Sequence, residues 1–341
     1  MSDERISYAR AGVDVDKSED AHRRIGGLIE RTFSQRENKF GSVFLGFGHY
    51  AGLIEIGGGK LLALHSDGVG TKVLVAQRLD RYDTVGIDCV AMNVNDLICV
   101  GAEPVSLVVY LALQKLDEDM VAEITQGLVN GAKDAGVAIV GGETAIMPDV
   151  IGGKGRGFDL AAMSLGVVDK KGVVTGERVR EGDVVVGLES SGIHSNGLTL
   201  ARKVLNGLDM DEELLEPTKI YVKEVLDILG EVDVHGMGHI TGGAFSKLRR
   251  IVKGRGLYLD SMPDPPEIFR IIQNKGKVAD REMYRTFNMG VGFCLAVDPE
   301  QADEVIAISK LHGTHASRIG TVVKERGIRI KTDSGDIWVE R

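Results

Sequence analysis

The chain has 341 residues, 43% of them hydrophobic, with 41 basic against 50 acidic side chains and a net charge of −9. That length predicts two domains, each burying its own core, and the acidic balance excludes a general nucleic-acid or anionic-membrane binder. A phosphorylated ligand would need Lys, Arg or backbone N–H groups gathered locally. Cys89, Cys99 and Cys294 show no Cys-x-x-Cys spacing and sit among apolar residues, which reads as buried reduced thiols. The charged first ten residues lack an apolar signal core, and the longest apolar run, 105–113, is too short to span a bilayer. The expected compartment is the cytoplasm.

In chain order, a helix is predicted over 18–32, with Ser18 as its cap and Ala21, Ile25, Leu28, Ile29 and Thr32 on one face. Gly46-Phe47-Gly48-His49-Tyr50-Ala51 resembles a dinucleotide fingerprint with Asp67 about twenty residues on. That fingerprint must open a helix, whereas 53–56, the Gly57-Gly58-Gly59 turn and 61–65 read as a hairpin, so a Rossmann site is rejected. The second strand empties into Ser66-Asp67-Gly68-Val69-Gly70-Thr71-Lys72. A helix over 84–100 and a strand over 105–111 follow. Asp117 caps the next helix, whose Met120, Ile124, Leu128 and Ala132 share a face and which ends at Gly136. A strand over 137–140 is expected to lead into a loop Gly141-Gly142-Glu143-Thr144, and a buried strand covers 160–168. The polar, glycine-bearing stretch 169–183 is the expected boundary between domains 1–170 and 171–341. Beyond it come a strand over 184–188, the loop Ser190 to Gly197, a helix from Leu198, Thr241-Gly242-Gly243 before a helix bearing Phe245, Leu248 and Ile251, and a strand over 291–297. The fold class is mixed α/β.

Five segments carry oxygen or phosphate chemistry. In the helix over 84–100, Asp88, Asn95 and Asp96 share one edge, which suits a hard cation that takes oxygen ligands and equally suits a solvated helix face. In the segment from Asp67 to Lys72, Gly68 and Gly70 let backbone approach phosphate, Asp67 can hold a metal, and Lys72 can neutralise a phosphoryl oxygen; a plain glycine turn with a solvated Lys is the alternative. Glu143, at a strand end, can complete a metal site or orient a nucleotide, or can belong to an ordinary turn. The Ser190 to Gly197 and Thr241 to Gly243 loops each precede a helix and offer anion seats, or simple caps; His194 adds a side chain able to move protons near neutral pH. No Gly-x-Ser-x-Gly elbow, His-Glu-x-x-His pair or Cys beside a His is present, so hydrolase and zinc chemistry have no support.

Asp96-Leu97-Ile98-Cys99-Val100-Gly101-Ala102-Glu103-Pro104 resembles the Asp-x-x-x-x-Gly-Ala-x-Pro signature of the PurM-like, or AIR synthetase, superfamily. Ser7-Tyr8, Ala11-Gly12-Val13-Asp14, Asp67 to Lys72, Gly86-Ile87-Asp88, Gly141 to Ala145, Ser190 to Gly197, Glu216 to Val222, Ile240 to Gly243 and Glu282 to Asn288 are similar to its phosphoribosylformylglycinamidine cyclo-ligase branch. Ala9 beside Arg10 departs from the family's usual Lys after the Ser-Tyr pair, Ile146 from its usual Glu, and His49 and Tyr50 from its small or apolar residues. A sister kinase should lack the Glu282 to Asn288 segment. Selenophosphate synthetase would carry a reactive Cys before Cys89, and the hydrogenase-maturation relative a C-terminal Cys. A silent binding or regulatory member is the alternative from another class.

The resemblance implies a two-domain fold of mixed sheets packed with helices, with N-terminal domains pairing in a homodimer. It implies ATP-dependent closure of formylglycinamidine ribonucleotide to aminoimidazole ribonucleotide with Mg²⁺, and leaves a K⁺ requirement open. Domain 1–170 would bind ATP and magnesium and form the dimer, and domain 171–341 would lie on the substrate side. Asp67, Asp88, Asp96 and Glu143 are the expected metal residues. Asp67, Gly68, Gly70, Thr71, Lys72, Asn95, Gly141, Gly142, Glu143 and Thr144 are expected at the nucleotide. Ser191, His194, Ser195, Asn196, Thr241, Gly242 and Gly243 are expected at the substrate, with Lys72 and His194 as the catalytic pair. The partners expected are this small molecule and a second copy of the chain, with neither nucleic acid nor membrane.

Overall fold

The structure is a computed structural model that describes residues 21, 24–152 and 155–340. The Ser7-Tyr8 and Ala11 to Asp14 motifs, Ala9, Arg10 and the Ser18 cap lie outside the described residues.

Gly57, Gly58 and Gly59 all adopt positive φ, a conformation that side-chain-bearing residues resist, and they reverse the chain between β2 (Gly52–Gly57) and β3 (Lys60–Gly68). This is the expected hairpin, with Leu53 opposite Ala63. β1 (Val43–Leu45), β4 (Glu103–Leu113), β5 (Ala138–Ile146) and β6 (Phe158–Asp169) complete a six-stranded sheet in the order β1-β2-β3-β6-β4-β5. Only the β4–β5 pair is parallel. The second sheet has seven strands: β7 (Val184–Glu189), β8 (Val234–His239), β9 (Gly256–Leu259), β10 (Val291–Val297), β11 (Ala316–Val323), β12 (Gly327–Thr332) and β13 (Gly335–Glu340), in the order β13-β12-β9-β11-β7-β10-β8. Both sheets are packed with helices, the expected mixed α/β class.

The helix Glu118–Ala135 begins where Asp117 Oδ1 accepts from Met120 N and ends at Gly136, whose N–H donates to Ala132 O in a left-handed cap. It packs on the helix Val85–Ile98 at unusually close range. A Cβ on Gly86 would stand 2.2 Å from Leu128 N, and one on Gly127 would stand 2.1 Å from Asp83 O, so glycine is required on both sides. Val85–Ile98 is consequently buried on every face except at Ile87, including Asp88, Asn93, Asn95 and Asp96. The solvated-face alternative is thereby removed.

Three expectations are corrected. Gly141-Gly142-Glu143-Thr144 is not a loop but the middle of β5, because its backbone pairs with β4 from Val108 to Leu111. Gly142 allows this pairing, since a Cβ there would meet Val109 O at 2.1 Å. The segment after Gly243 is a 3-10 helix, Ala244–Arg250, rather than an α-helix. In the first helix Ile25, Leu28 and Ile29 are exposed, and from Glu30 the chain tightens into a 3-10 turn, Glu30–Arg36. Among the described residues no helix is long and apolar enough to cross a membrane, and all three cysteines are buried and unpaired.

The polar edge of Val85–Ile98 faces the second half of the chain. Asp88 Oδ1 accepts from Thr218 N and Oγ1, Asn95 bridges Lys219 O and Tyr221 N, and Asp96 Oδ1 lies 2.8 Å from His239 Nδ1. Lys72 Nζ lies 2.9 Å from Asp88 Oδ1 with both side chains fully buried, and removing one partner of a buried ion pair costs about 3–5 kcal/mol, because the other charge is left uncompensated. Lys72→Met should therefore lower the unfolding temperature markedly, and Lys72→Met with Asp88→Asn should lose less than Lys72→Met alone. Thermal unfolding of the three proteins checks this.

The helix Val222–Glu231 adds a pH dependence. Glu224 is buried with Thr314 Oγ1 at 3.0 Å from both its oxygens, and burial pushes its carboxyl from 4.5 up to about 7. A carboxyl whose pKa rises on folding holds its proton better in the fold, so this contribution is full below about 4.5 and is lost as pH rises through about 7. Glu224→Gln should flatten that decline and raise stability at pH 8 relative to wild type, by up to roughly 3 kcal/mol at the usual conversion per pKa unit. Denaturant titrations from pH 5 to 8 measure it.

Candidate active site

Lys72 and Asp88 meet, but not on a ligand. Lys72 Nζ lies 2.9 Å from Asp88 Oδ1 and also donates to Glu216 O, and both side chains are fully buried. Ser195 Oγ donates to the same carboxylate oxygen at 3.0 Å. Lys72, expected at a phosphoryl group, has its ammonium held inside the contact between the two halves. Asp88 Oδ1 is likewise a hub for Lys72, Ser195 and Thr218, while Asp88 Oδ2 is buried without a partner among the described residues.

Asp67 and Asp96 do come together, on the wall of a cavity with a volume of about 980 Å³. Its charged end carries Asp67, Asp96, His65 and Lys247, while Ile29, Phe33, Leu45, Phe47 and Leu53 form an apolar flank. Gly46 to Ala51, rejected above as a dinucleotide fingerprint, runs as the loop between β1 and β2 and lines this cavity.

The electrostatics of the charged end follow from burial and neighbours. Burial and then the negative Asp96 push the Asp67 carboxyl up, partly offset by the Gly68 N–H that it accepts at 2.8 Å. Burial alone would raise Asp96 too, but His65, 3.6 Å away, and His239 pull it down to about 2. Lys247 Nζ donates to Thr241 Oγ1 at 2.6 Å. Burial, then Arg250, lowers His49 to about 4, so a neutral imidazole stands on the wall at neutral pH.

Among the described residues no three His, Cys, Asp or Glu side chains form a metal cage, so the four expected carboxylates do not converge. Glu143, with Gly141, Gly142 and Thr144, lies on the β5 edge and does not line the cavity. Asn95 serves the Lys219–Tyr221 backbone. Gly70 and Thr71 lie in a 3-10 turn that carries Lys72 away from the cavity, with Thr71 Oγ1 3.2 Å from Thr199 Oγ1. The residual acidic pair, Asp67 and Asp96, still suits Mg²⁺ carried on nucleotide phosphates, which needs only one or two carboxylates plus water.

The two substrate-side loops meet. A Cβ on Gly242 would stand 2.9 Å from Asn196 Oδ1, so the Ser190 to Gly197 loop is laid against Thr241 to Gly243. Gly243 has φ +83°, and Ser246 N and Oγ both donate to its carbonyl. Ser191 Oγ donates to Pro217 O. His194 sits in the left-handed region at φ +63°, accepting from Ser191 N at Nε2, so its neutral ring carries the proton on Nδ1. Burial drives its pKa well below the ordinary value. It is therefore a fixed neutral donor and not a group that titrates near pH 7. His194 Nδ1 and Asn196 Nδ2 are buried without a hydrogen-bond partner among the described residues, an arrangement that commonly marks a ligand's place.

His65, His239, Lys247 and Arg250 escaped the sequence reading, and His49 entered it only in the rejected fingerprint and as a departure from the family. The available signal was adjacency: His65 nearly abuts Asp67, His239 lies two residues before Thr241, and Lys247 lies four after Gly243.

Residues 48–168 match the model of the AIR synthase related protein N-terminal domain, and residues 180–333 match that of its C-terminal domain. The phosphoribosylformylglycinamidine cyclo-ligase of Thermococcus gammatolerans is 49% identical over 96% of this chain and 98% of its own length. That of Saccharolobus solfataricus is 48% identical over 97% and 98%. The crystal structure of the hydrogenase maturation protein HypE in complex with ATP shares the fold, with a TM-score of 0.64 at 19% identity over 91% of this chain and 93% of that one. The chain belongs to the AIR synthase related family and, by its identity over nearly full length, to the phosphoribosylformylglycinamidine cyclo-ligases within it.

Proposed function

We propose that this chain is the ATP-dependent ligase of purine biosynthesis that closes formylglycinamidine ribonucleotide to aminoimidazole ribonucleotide, releasing ADP and phosphate. The observation that carries the reading is the cavity of about 980 Å³, whose apolar flank suits a base and whose charged end pairs two carboxylates with a lysine, in a chain of this family. Support for ATP comes also from the HypE relative, described as an ATP complex.

An amide oxygen is a poor leaving group. The γ-phosphoryl group of ATP therefore moves to the formyl oxygen, breaking its bond to ADP. The amidine nitrogen then attacks the formyl carbon, the carbon–oxygen bond breaks, phosphate leaves and the nitrogen loses a proton. The protein's share is positioning and charge neutralisation. Asp67 and Asp96 would hold Mg²⁺, which when bound offsets phosphoryl charge. His65 and His239 keep Asp96 ionised and oriented. His194 Nδ1–H and Asn196 Nδ2 are free to donate to substrate oxygens, with Ser191, Thr241, Gly242 and Gly243 shaping that seat. We assign nucleotide binding and dimerisation to 1–170 and the substrate side to 171–341. Buried free thiols suit a reducing cytoplasm.

We further infer a homodimer through the first sheet. Its edge strand β5 is exposed, and Val140, Ile146, Tyr110 and Met163 on β4 to β6 are exposed apolar side chains. An open apolar edge invites pairing.

Incubating the protein with formylglycinamidine ribonucleotide, ATP and Mg²⁺ should yield aminoimidazole ribonucleotide and ADP in equal amounts; ADP alone would indicate a kinase or ATPase. Asp96→Asn should lower the rate by roughly 100-fold with the fold retained by circular dichroism. Sedimentation should give twice the 36.7 kDa chain mass, and Val140→Lys with Ile146→Lys should halve it.

A further inference from the structure

Phosphoryl transfer needs a cation at the transferred group, and the lysine expected for that task is locked on Asp88. Among the described residues, Lys247 is the one lysine that lines the cavity, and it feels the charges of Asp96 and Asp67 there. Two other cations line the wall but are committed elsewhere. Arg249 pairs with Glu340 at 3.2 Å. Arg250 lies over the Tyr50 ring, 5.1 Å from its centroid, and reaches His49 O.

Lys247 is held at its root and free at its tip. Gly243 in the left-handed conformation, the Ala244 N to Thr241 O bond at 2.6 Å and the Ser246 bonds to Gly243 O fix the start of the 3-10 helix that carries it. Its ammonium uses one of three N–H groups on the neutral Thr241 hydroxyl. Two donors remain for a ligand that brings negative charge to the Asp67–Asp96 end. A flexible four-carbon stem lets the ammonium follow a phosphoryl group as it moves between oxygens.

We propose that Lys247, in place of Lys72, is the residue that binds the transferred γ-phosphoryl group. The assignment rests on the ligase reading for the identity of the acceptor but not for the binding of a nucleoside triphosphate. Lys247 donates to the γ-phosphoryl oxygens while Thr241 keeps the ammonium against the substrate loop, so one C-terminal element ties the nucleotide end of the cavity to the Asn196–Gly242 seat.

The test uses the full chain and calorimetric titration with Mg²⁺ and either ADP or a β,γ-imido ATP analogue. Lys247→Met should weaken the imido analogue at least tenfold and ADP less than twofold, and should lower the rate of ring closure at least 100-fold without changing the unfolding temperature. Lys247→Arg should recover part of the affinity. Equal weakening of ADP and the analogue, or wild-type affinity for both, overturns the assignment. If the wild-type protein forms no aminoimidazole ribonucleotide but Lys247→Met still loses the analogue selectively, the Lys247 assignment stands and the ligase reading fails.

Discussion

The buried polar edge of the helix Val85–Ile98 is the constraint on which the rest depends. Three of its side chains, Asp88, Asn95 and Asp96, are fully or nearly fully enclosed, and each must find partners or cost the fold several kcal/mol. They find them on the second half of the chain: Thr218 and Ser195 for Asp88, the Lys219 and Tyr221 backbone for Asn95, and His239 for Asp96. The two sheets are thereby held in one register by directional bonds, which apolar contact alone would not specify. The close Gly86–Gly127 approach is the other side of this constraint, since it sinks the helix deep enough for its polar edge to be enclosed.

The candidate site follows from that register. Asp96 belongs both to the seam and to the cavity: one oxygen lies against His239 and the other faces His65 and the open space where Asp67 stands. The acidic end is thus rigid before any ligand arrives, which is what positioning chemistry requires. The C-terminal half contributes Lys247 to the cavity wall, with Thr241 accepting from its ammonium behind it and His194 and Asn196 in the adjoining loop. Gly292 secures this corner, because a Cβ there would collide with both Tyr221 Oη and His194 Cε1.

The division between buried hub and open site also explains why two similar-looking clusters differ in role. Lys72, Asp88, Ser195 and Thr218 carry every group a phosphate site would use, yet Lys72, Ser195 and Thr218 all donate to Asp88 Oδ1 in an enclosed seam, where Asp88 Oδ2 is left without a partner among the described residues. Asp67, Asp96 and Lys247 border open volume, Asp96 while paired with His239 and His65. Chemistry is available where charged groups meet open volume.

Local order was legible in the sequence because it depends on near neighbours. The triple-glycine hairpin, the Asp117 cap and Gly136 stop, and the strands over 184–188 and 291–297 each follow from turn chemistry or hydrophobic period. The shared edge of Asp88, Asn95 and Asp96 followed from the helical repeat, and the family from motifs spread along the chain. What that edge faces did not follow, because a helix pattern gives direction and not surroundings. Only the tertiary structure decided that Lys72 answers Asp88, that Gly141 to Thr144 extend an edge strand instead of turning, and that Lys247 stands over Asp67 and Asp96. These are contacts between residues up to about 180 positions apart in the sequence, and charge pairing at such separations is set by how two sheets pack around one buried helix.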